Sequence, residues 1–328
     1  MSKKITMADI AEMSGVAKST VSRYFNGGYV KDSTKKKIQA VIQAQNYEPN
    51  TFARLNAKNS NVIGVVVPTL NSKVTSRVIT SIDRYLRGQG YETIIKNSDH
   101  DPKLELDNIK RLISLNVDGI LFSAINITDE HRQLISNSSV PVVVLAQEYD
   151  EGISVVDDDR RAGRCAGEYI GKTHPQCAAY IGVDESDIAV GIGRRQGVLD
   201  GLKEYGIDNP VILTGDYSFE SGQALTEKLL ELAKPDAIIC ATDRLAFGAY
   251  RVLEQHGLRI PEDVSVMGFG GYDESALLKP QLTTIKFDSY AVGYLGAETL
   301  LKMIHGEPVP QKQTVGFTLI EGGSVKKC

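Results

Sequence analysis

No stretch of this 328-residue chain approaches the roughly 18 uninterrupted apolar residues that a membrane span needs. The basic opening MSKKITMADIAEMSG is broken by Asp9 and Glu12, so it does not read as a secretion signal. Cysteine is sparse, and Cys165, Cys177, Cys240 and Cys328 lie far apart. That argues for a reducing compartment and against disulfides or a zinc cluster. The five histidines are equally dispersed, and the motifs HExxH, CxxC and GxSxG are missing. GFGG and GIGRRQG lack the spacing of phosphate-binding loops. These absences leave a cytoplasmic protein with no metal and no cofactor.

Hydrophobic residues make up 42% of the chain, enough for buried cores, and the length favours two or more domains. Net charge is −4 but uneven. Residues 1–60 carry ten Lys and Arg against four acids, a balance of +6, which leaves −10 for the rest. A basic head on an acidic body suits contact with a polyanion.

Three helical patterns occupy the head. In TMADIAEMSG, Thr6 can cap and Asp9 completes a capping box. Ile10, Ala11 and Met13 form its apolar face, and Gly15 suits the left-handed turn that ends it. GVAKSTVSRYFNG then turns Val21 and Phe25 inward and leaves Lys18, Ser19, Ser22 and Arg23 outside. DSTKKKIQAVIQAQNY braces both through Ile38, Val41 and Ile42. Two short helices joined at a glycine, with a third behind, form a helix-turn-helix whose second helix can enter a major groove. Lys18, Ser19 and Arg23 are placed for base edges, and Thr20, Ser22 and Asn26 for phosphates.

ITMADIAEMSGVAKSTVSRYFNG, followed by NYEPNTFARLNAKNSNVIGVVVP, closely resembles the N-terminus of lac repressor (LacI–GalR) family regulators. The likeness runs on through the chain to an echo at Pro280–Ile285. It implies a DNA-binding domain over 1–49, a hinge helix over 50–60 and an effector-binding, dimerising domain over 61–328. Two departures stand out. Ala17 sits where the family usually has a capping Ser, which should cost about 1 kcal/mol. In the hinge, the family's minor-groove Leu wedge falls on Asn56, with Leu55 one residue earlier and Arg54 beside them.

From Asn61 the texture changes to short apolar runs alternating with helical patterns: NVIGVVVP, YETIIKN, VDGILFSA, VPVVVLA, CAAYIGV, PVILTG, DAIICAT and VSVMGFGG. Such near-continuous apolar runs imply parallel sheets covered on both faces. The expected fold class is a small all-α helix-turn-helix domain plus an α/β two-lobed body. By resemblance to periplasmic binding proteins, lobe one spans about 62–159 plus 289–318 and lobe two about 160–288. Ligands bind beyond the carboxyl ends of such strands. There lie Thr69, Asn71 and Ser72, then Gln147, Arg194, Tyr217, Thr242, Asp243 and Asp273. Hydroxyls, amides, carboxylates, a guanidinium and an aromatic face suit a sugar. The family pattern makes Arg194 the strongest effector contact and Tyr217 a stacking ring. It also makes Asp273 the substitute for an acid replaced by Gly270, and puts Phe287 where relatives often carry a polar group. DDDRR at Asp157–Arg161 reads as a lobe junction, its acids pairing with Arg160, Arg161 and Arg164.

The resemblance implies a repressor of a carbohydrate-utilisation operon, with sucrose-type disaccharide regulators the strongest likeness. Its partners are double-stranded operator DNA, a small sugar and a second copy of the chain, with no membrane. Two alternatives stay open: a catabolite regulator controlled by a phosphorylated carrier protein, and a regulator whose ligand strengthens DNA binding. An enzyme on the same body would need a base, a nucleophile or a phosphate loop, and none stands out.

Overall fold

Thr6 starts the first helix as its sequence implies. In the computed structural model, α1 (Met7–Ser14) is capped by Thr6 Oγ1, which accepts from the Asp9 amide at 3.3 Å. Asp9 Oδ2 returns the bond by accepting from the Thr6 amide at 2.7 Å. Gly15 then takes φ 67° and ψ 35°, the left-handed turn that a side chain would resist. α2 (Lys18–Phe25) and α3 (Asp32–Gln45) follow. Ile10, Ala11, Val21 and Ile38 form their common core. Met13, expected on that face, is instead 50% exposed. Ser14 takes the inward position, its hydroxyl donating to the Ile10 carbonyl at 2.6 Å. The residues described are 5–25, 28–45, 47 and 60–327, and they divide into one unit up to Ser60 and a second from Asn61.

Ala17 stands at the start of α2, and its carbonyl accepts from the Thr20 and Val21 amides at 2.8 and 3.2 Å. Its methyl can satisfy none of the remaining first-turn N–H groups. Ala17→Ser should therefore stabilise the helical unit by about 1 kcal/mol. Slower amide exchange along α2 would register the gain, and unchanged exchange would count against it.

The second unit contains two six-stranded sheets. The first is built from β1 (Val62–Val67), β2 (Glu92–Asn97), β3 (Gly119–Ser123), β4 (Val142–Leu145), β5 (Ile153–Asp157) and β11 (Lys312–Val315), in the order β11-β5-β4-β3-β1-β2. The second contains β6 (Ala178–Val183), β7 (Val211–Gly215), β8 (Ala237–Cys240), β9 (Ser265–Phe269), β10 (Thr283–Phe287) and β12 (Phe317–Ile320), in the order β12-β10-β9-β8-β6-β7. Pairing is parallel throughout except between β10 and β12. Strands such as β1 and β6 are buried at every position, because helices cover both faces. In each sheet the order reverses beside the first strand, β1 or β6, which is where a ligand crevice opens.

The chain passes between the lobes three times. It leaves the first sheet after Asp157 and enters α7 (Asp159–Gly171), whose Ala162, Ala166 and Ile170 join the second core. It returns after Phe287 into α11 (Ser289–Ile304), whose Val292, Ala297 and Leu300 join the first core. It crosses again between Val315 and Phe317. The first lobe therefore ends before 318: Phe317 pairs antiparallel with Phe287, and Val325 packs in the second core.

Within the second lobe, α7 meets α8 (Arg195–Lys203) backbone to backbone. A Cβ on Gly163 would strike the Arg194 carbonyl, and one on Gly167 the Val198 carbonyl. Gly197 and Gly201 face the carbonyls of Arg160 and Arg164 in the same way. A π-helical turn, Ile188–Arg194, leads directly into α8. This seam fixes the height at which Arg194 stands beside the first residue of α7.

Candidate functional site

A cavity of about 870 Å³ lies where the carboxyl ends of the two sheets face each other. That volume and its mixture of apolar and polar walls suit a small-molecule ligand. Lobe one contributes Thr69, Asn71 and Ser72 from the loop after β1, and Gln147 from the loop after β4. Lobe two contributes Arg194, Tyr217, Thr242 and Phe287. Eight of the ten residues expected at the effector site are thus together around one space. Some of their polar atoms are already committed. Thr69 Oγ1 accepts from the Asn71 amide at 3.1 Å, while Ser72 and Thr242 cap α4 (Lys73–Gly88) and α10 (Asp243–Gln255).

Asp243 and Asp273 do not reach it. Asp243 is fully buried behind the wall. Its carboxylate accepts from the Tyr272 amide at 2.9 Å, the Ser275 hydroxyl at 2.8 Å and the Thr284 hydroxyl at 2.5 Å. It braces the loop that follows β9 rather than facing the cavity. Asp273 opens a short 3-10 turn, points to solvent and pairs with Arg77 at 3.5 Å.

Arg194 is buried and held on every side. Its Nε and Nη2 donate to Asp159 Oδ1 at 2.8 and 2.5 Å, and Nη1 donates to the Ala241 carbonyl at 2.6 Å. Its guanidinium lies 4.8 Å from the Phe269 ring centre and 5.0 Å from that of Phe287. The two rings are themselves stacked, 6.5 Å apart. Phe287 therefore serves as a second ring for the guanidinium, beside Phe269. The DDDRR expectation fails in detail. Asp159 pairs with Arg194, and Asp158 caps α7 by accepting from the Arg161 amide. Arg160 pairs with Asp200, and Arg164 with Glu168 and Glu204.

Asp187, missed in the sequence, organises the far wall. It caps the π-helical turn and accepts from the Val190 amide at 2.9 Å. It also accepts from Gln147 Nε2 at 2.9 Å and from the Tyr217 hydroxyl at 2.5 Å. Burial, then the Asp187 carboxylate, pushes the Tyr217 phenol upward, so it stays a donor. Asp157, at the end of β5, also lines the cavity. Burial, then the neighbouring Asp159, raises its carboxyl to about 7 against the partial opposition of Arg194.

The lobes are bridged at several points. Gln147 reaches Asp187 across the cavity, and Arg244 Nη1 donates to the Asn71 carbonyl at 3.2 Å. Arg77 donates to the Gly270 and Gly271 carbonyls at 3.2 and 3.0 Å, and Lys73 pairs with Glu274 at 3.1 Å. The His100 and Tyr217 rings stack 5.7 Å apart. Closure leaves the cavity walled from both sides.

In the helical unit, Lys18, Ser19 and Arg23 are exposed on α2, while Thr20 and Ser22 are half-buried at its margin. Asn26 and the hinge residues Arg54, Leu55 and Asn56 lie outside the described residues. Among the described residues, no cluster of His, Cys, Asp or Glu is arranged to hold a metal, and no helix is long and apolar enough to cross a membrane.

Residues 6–50 match the family model of bacterial regulatory proteins of the lacI family, and residues 169–325 match that of a periplasmic binding protein-like domain. The sucrose operon repressor of Staphylococcus xylosus is 32% identical over 93% of this chain and 96% of its own length. Catabolite control protein A of Staphylococcus epidermidis is 32% identical over 95% and 96%. Among solved structures, the lac repressor dimer bound to operator and an anti-inducer superposes with a TM-score of 0.88 at 26% identity, covering 98% of this chain and 99% of that one.

Proposed function

The chain belongs to the LacI family of bacterial regulators, and from that premise we propose that it represses a carbohydrate-utilisation operon under the control of a sugar bound between its two lobes. It works as a dimer that sets two α2 helices on successive major grooves, about one helical turn apart. Residues 50–60 serve as the hinge between head and body. The carrying observation is the cavity: amide, phenol, carboxylates and aromatic rings converge on it from both lobes. A ligand there touches both sides at once, so its binding energy depends on their separation. The coupling to DNA is typically about 1–3 kcal/mol and acts equally in both directions. The role is binding rather than catalysis.

The test is anisotropy of a duplex selected by the protein from a random library, titrated with mono- and disaccharides. A shift of operator affinity by one sugar, in either direction, supports the reading; no shift by any sugar refutes it. The 32% identity to catabolite control protein A favours a second reading, control by a phosphorylated carrier protein. Sugar alone would then change nothing until the carrier is added. In the same assay, Lys18→Ala should weaken operator binding by about 1–3 kcal/mol and relax the preference at one base position. An unaltered footprint and affinity would remove Lys18 from the reading face.

A further inference from the structure

We infer that Tyr272, and not Tyr217, is the ring against which a bound sugar packs. The inference rests on the sugar-receptor reading above and names a contact within it. Among the described residues, the rings lining the cavity are those of His100, Tyr217, Phe269, Tyr272 and Phe287. Phe269 and Phe287 stack on each other, and both carry the Arg194 guanidinium. Tyr217 is stacked by His100 at an interplanar angle of 17°, and its hydroxyl is committed to Asp187. The ring contact of Tyr272 is edge-on, with Phe247 at 6.3 Å and 66°. Phe247 packs against the second core and not into the cavity wall. A sugar needs an aromatic surface for its C–H face beside groups that bond its hydroxyls, and Tyr272 is the ring with that surface to give.

The backbone around Tyr272 is built to hold it there. Gly270 has φ 137°, and a Cβ on it would lie 2.6 Å from Tyr272 Cε1 and 2.9 Å from Cδ1. The ring therefore occupies space that any side chain at 270 would claim. The buried Asp243 carboxylate accepts from the Tyr272 amide and the Ser275 hydroxyl, two donors of the same loop, as well as from the Thr284 hydroxyl. Burying an acid is costly unless donors meet it, and here those donors tie the loop down. Tyr272 is the side chain that this loop turns to the cavity, while Asp273 and Glu274 turn to Arg77 and Lys73. Ser72 of lobe one stands at the Tyr272 hydroxyl, so the ring sits where the two lobes meet.

Calorimetric titration of the full-length protein with glucose, galactose, fructose, sucrose, maltose, trehalose, cellobiose and lactose tests this. For each sugar that binds, Tyr272→Leu should lower affinity about tenfold or more, since apolar bulk remains but the ring is gone. Tyr272→Phe keeps the ring and should stay within about threefold of the wild type. A second measurement needs no disruptive variant. In wild-type protein with 13C-labelled tyrosine rings, protons of the bound sugar should cross-relax with the Tyr272 ring more strongly than with the Tyr217 ring. The two sets of signals are assigned by their loss in Tyr272→Phe and Tyr217→Phe. Three results overturn the inference and leave the sugar-receptor reading intact: Tyr272→Leu binding like the wild type, Tyr272→Phe losing as much as Tyr272→Leu, or sugar protons that cross-relax as strongly with Tyr217 as with Tyr272. If no sugar binds and none shifts operator affinity, both fall.

Discussion

Arg194→Ala is expected to destabilise the second unit by about 3–5 kcal/mol, the usual cost of removing one partner from a buried ion pair. The guanidinium holds Asp159 with two donors, secures the Ala241 carbonyl and packs against Phe269 and Phe287. Alanine leaves a cavity beside the two rings and an uncompensated acid at Asp159. In a unit of this size that loss should lower the melting temperature by roughly 10 °C. The deficit should be larger at pH 8 than at pH 5, since Asp159 titrates above the usual carboxylate range through burial and its protonation removes the stranded charge. Calorimetry at the two pH values measures both effects. A variant that melts like the wild type yet fails to respond to sugar would make Arg194 a ligand contact first, as the family pattern alone suggests.

Asp157→Asn should do the reverse to the empty protein. The Asp157 carboxyl lies near 7 in the folded chain and near 3.8 when unfolded. A folded value above the unfolded one means that the native state binds the extra proton. Its stability contribution is complete below about pH 4 and falls away as pH rises to about 7. Asparagine carries no such penalty. The variant should match the wild type near pH 4, gain steadily across the interval and hold a plateau of about 4 kcal/mol at pH 8. Urea unfolding at several pH values would show the trend; a gain independent of pH would assign it to packing and not to charge.

What could be read from the sequence follows from how local each signal is. The capping box of Thr6 and Asp9, the Gly15 turn and the inward Val21 depend on residues within one helical turn, so α1 and α2 stood out. The buried strands announced themselves as apolar runs. β5, β10, β11 and β12 did not: β11 reads KQTV, with two exposed positions, and β12 reads FTLI on a sheet edge. The topological rule placed the strand-end loops correctly, which is why Thr69, Gln147 and Tyr217 met around one cavity. It could not say which way each side chain points. Asp243 opens a helix beside the cavity yet turns into the protein toward Thr284, 41 residues away. The pairing of Arg194 with Asp159 spans 35 residues and that of Gln147 with Asp187 spans 40. Such partners leave no mark on either local stretch.

The glycine seam between α7 and α8 has a mechanical consequence. With main chains touching at Gly163, Gly167, Gly197 and Gly201, there is no cushion of side chains to shear or compress. The helix that receives the chain from the first crossing and the helix that follows Arg194 form one stiff plate. A push delivered at Asp159 or Arg194 cannot be dissipated by bending either rod; it swings the plate bodily, and the three crossing strands absorb the rotation.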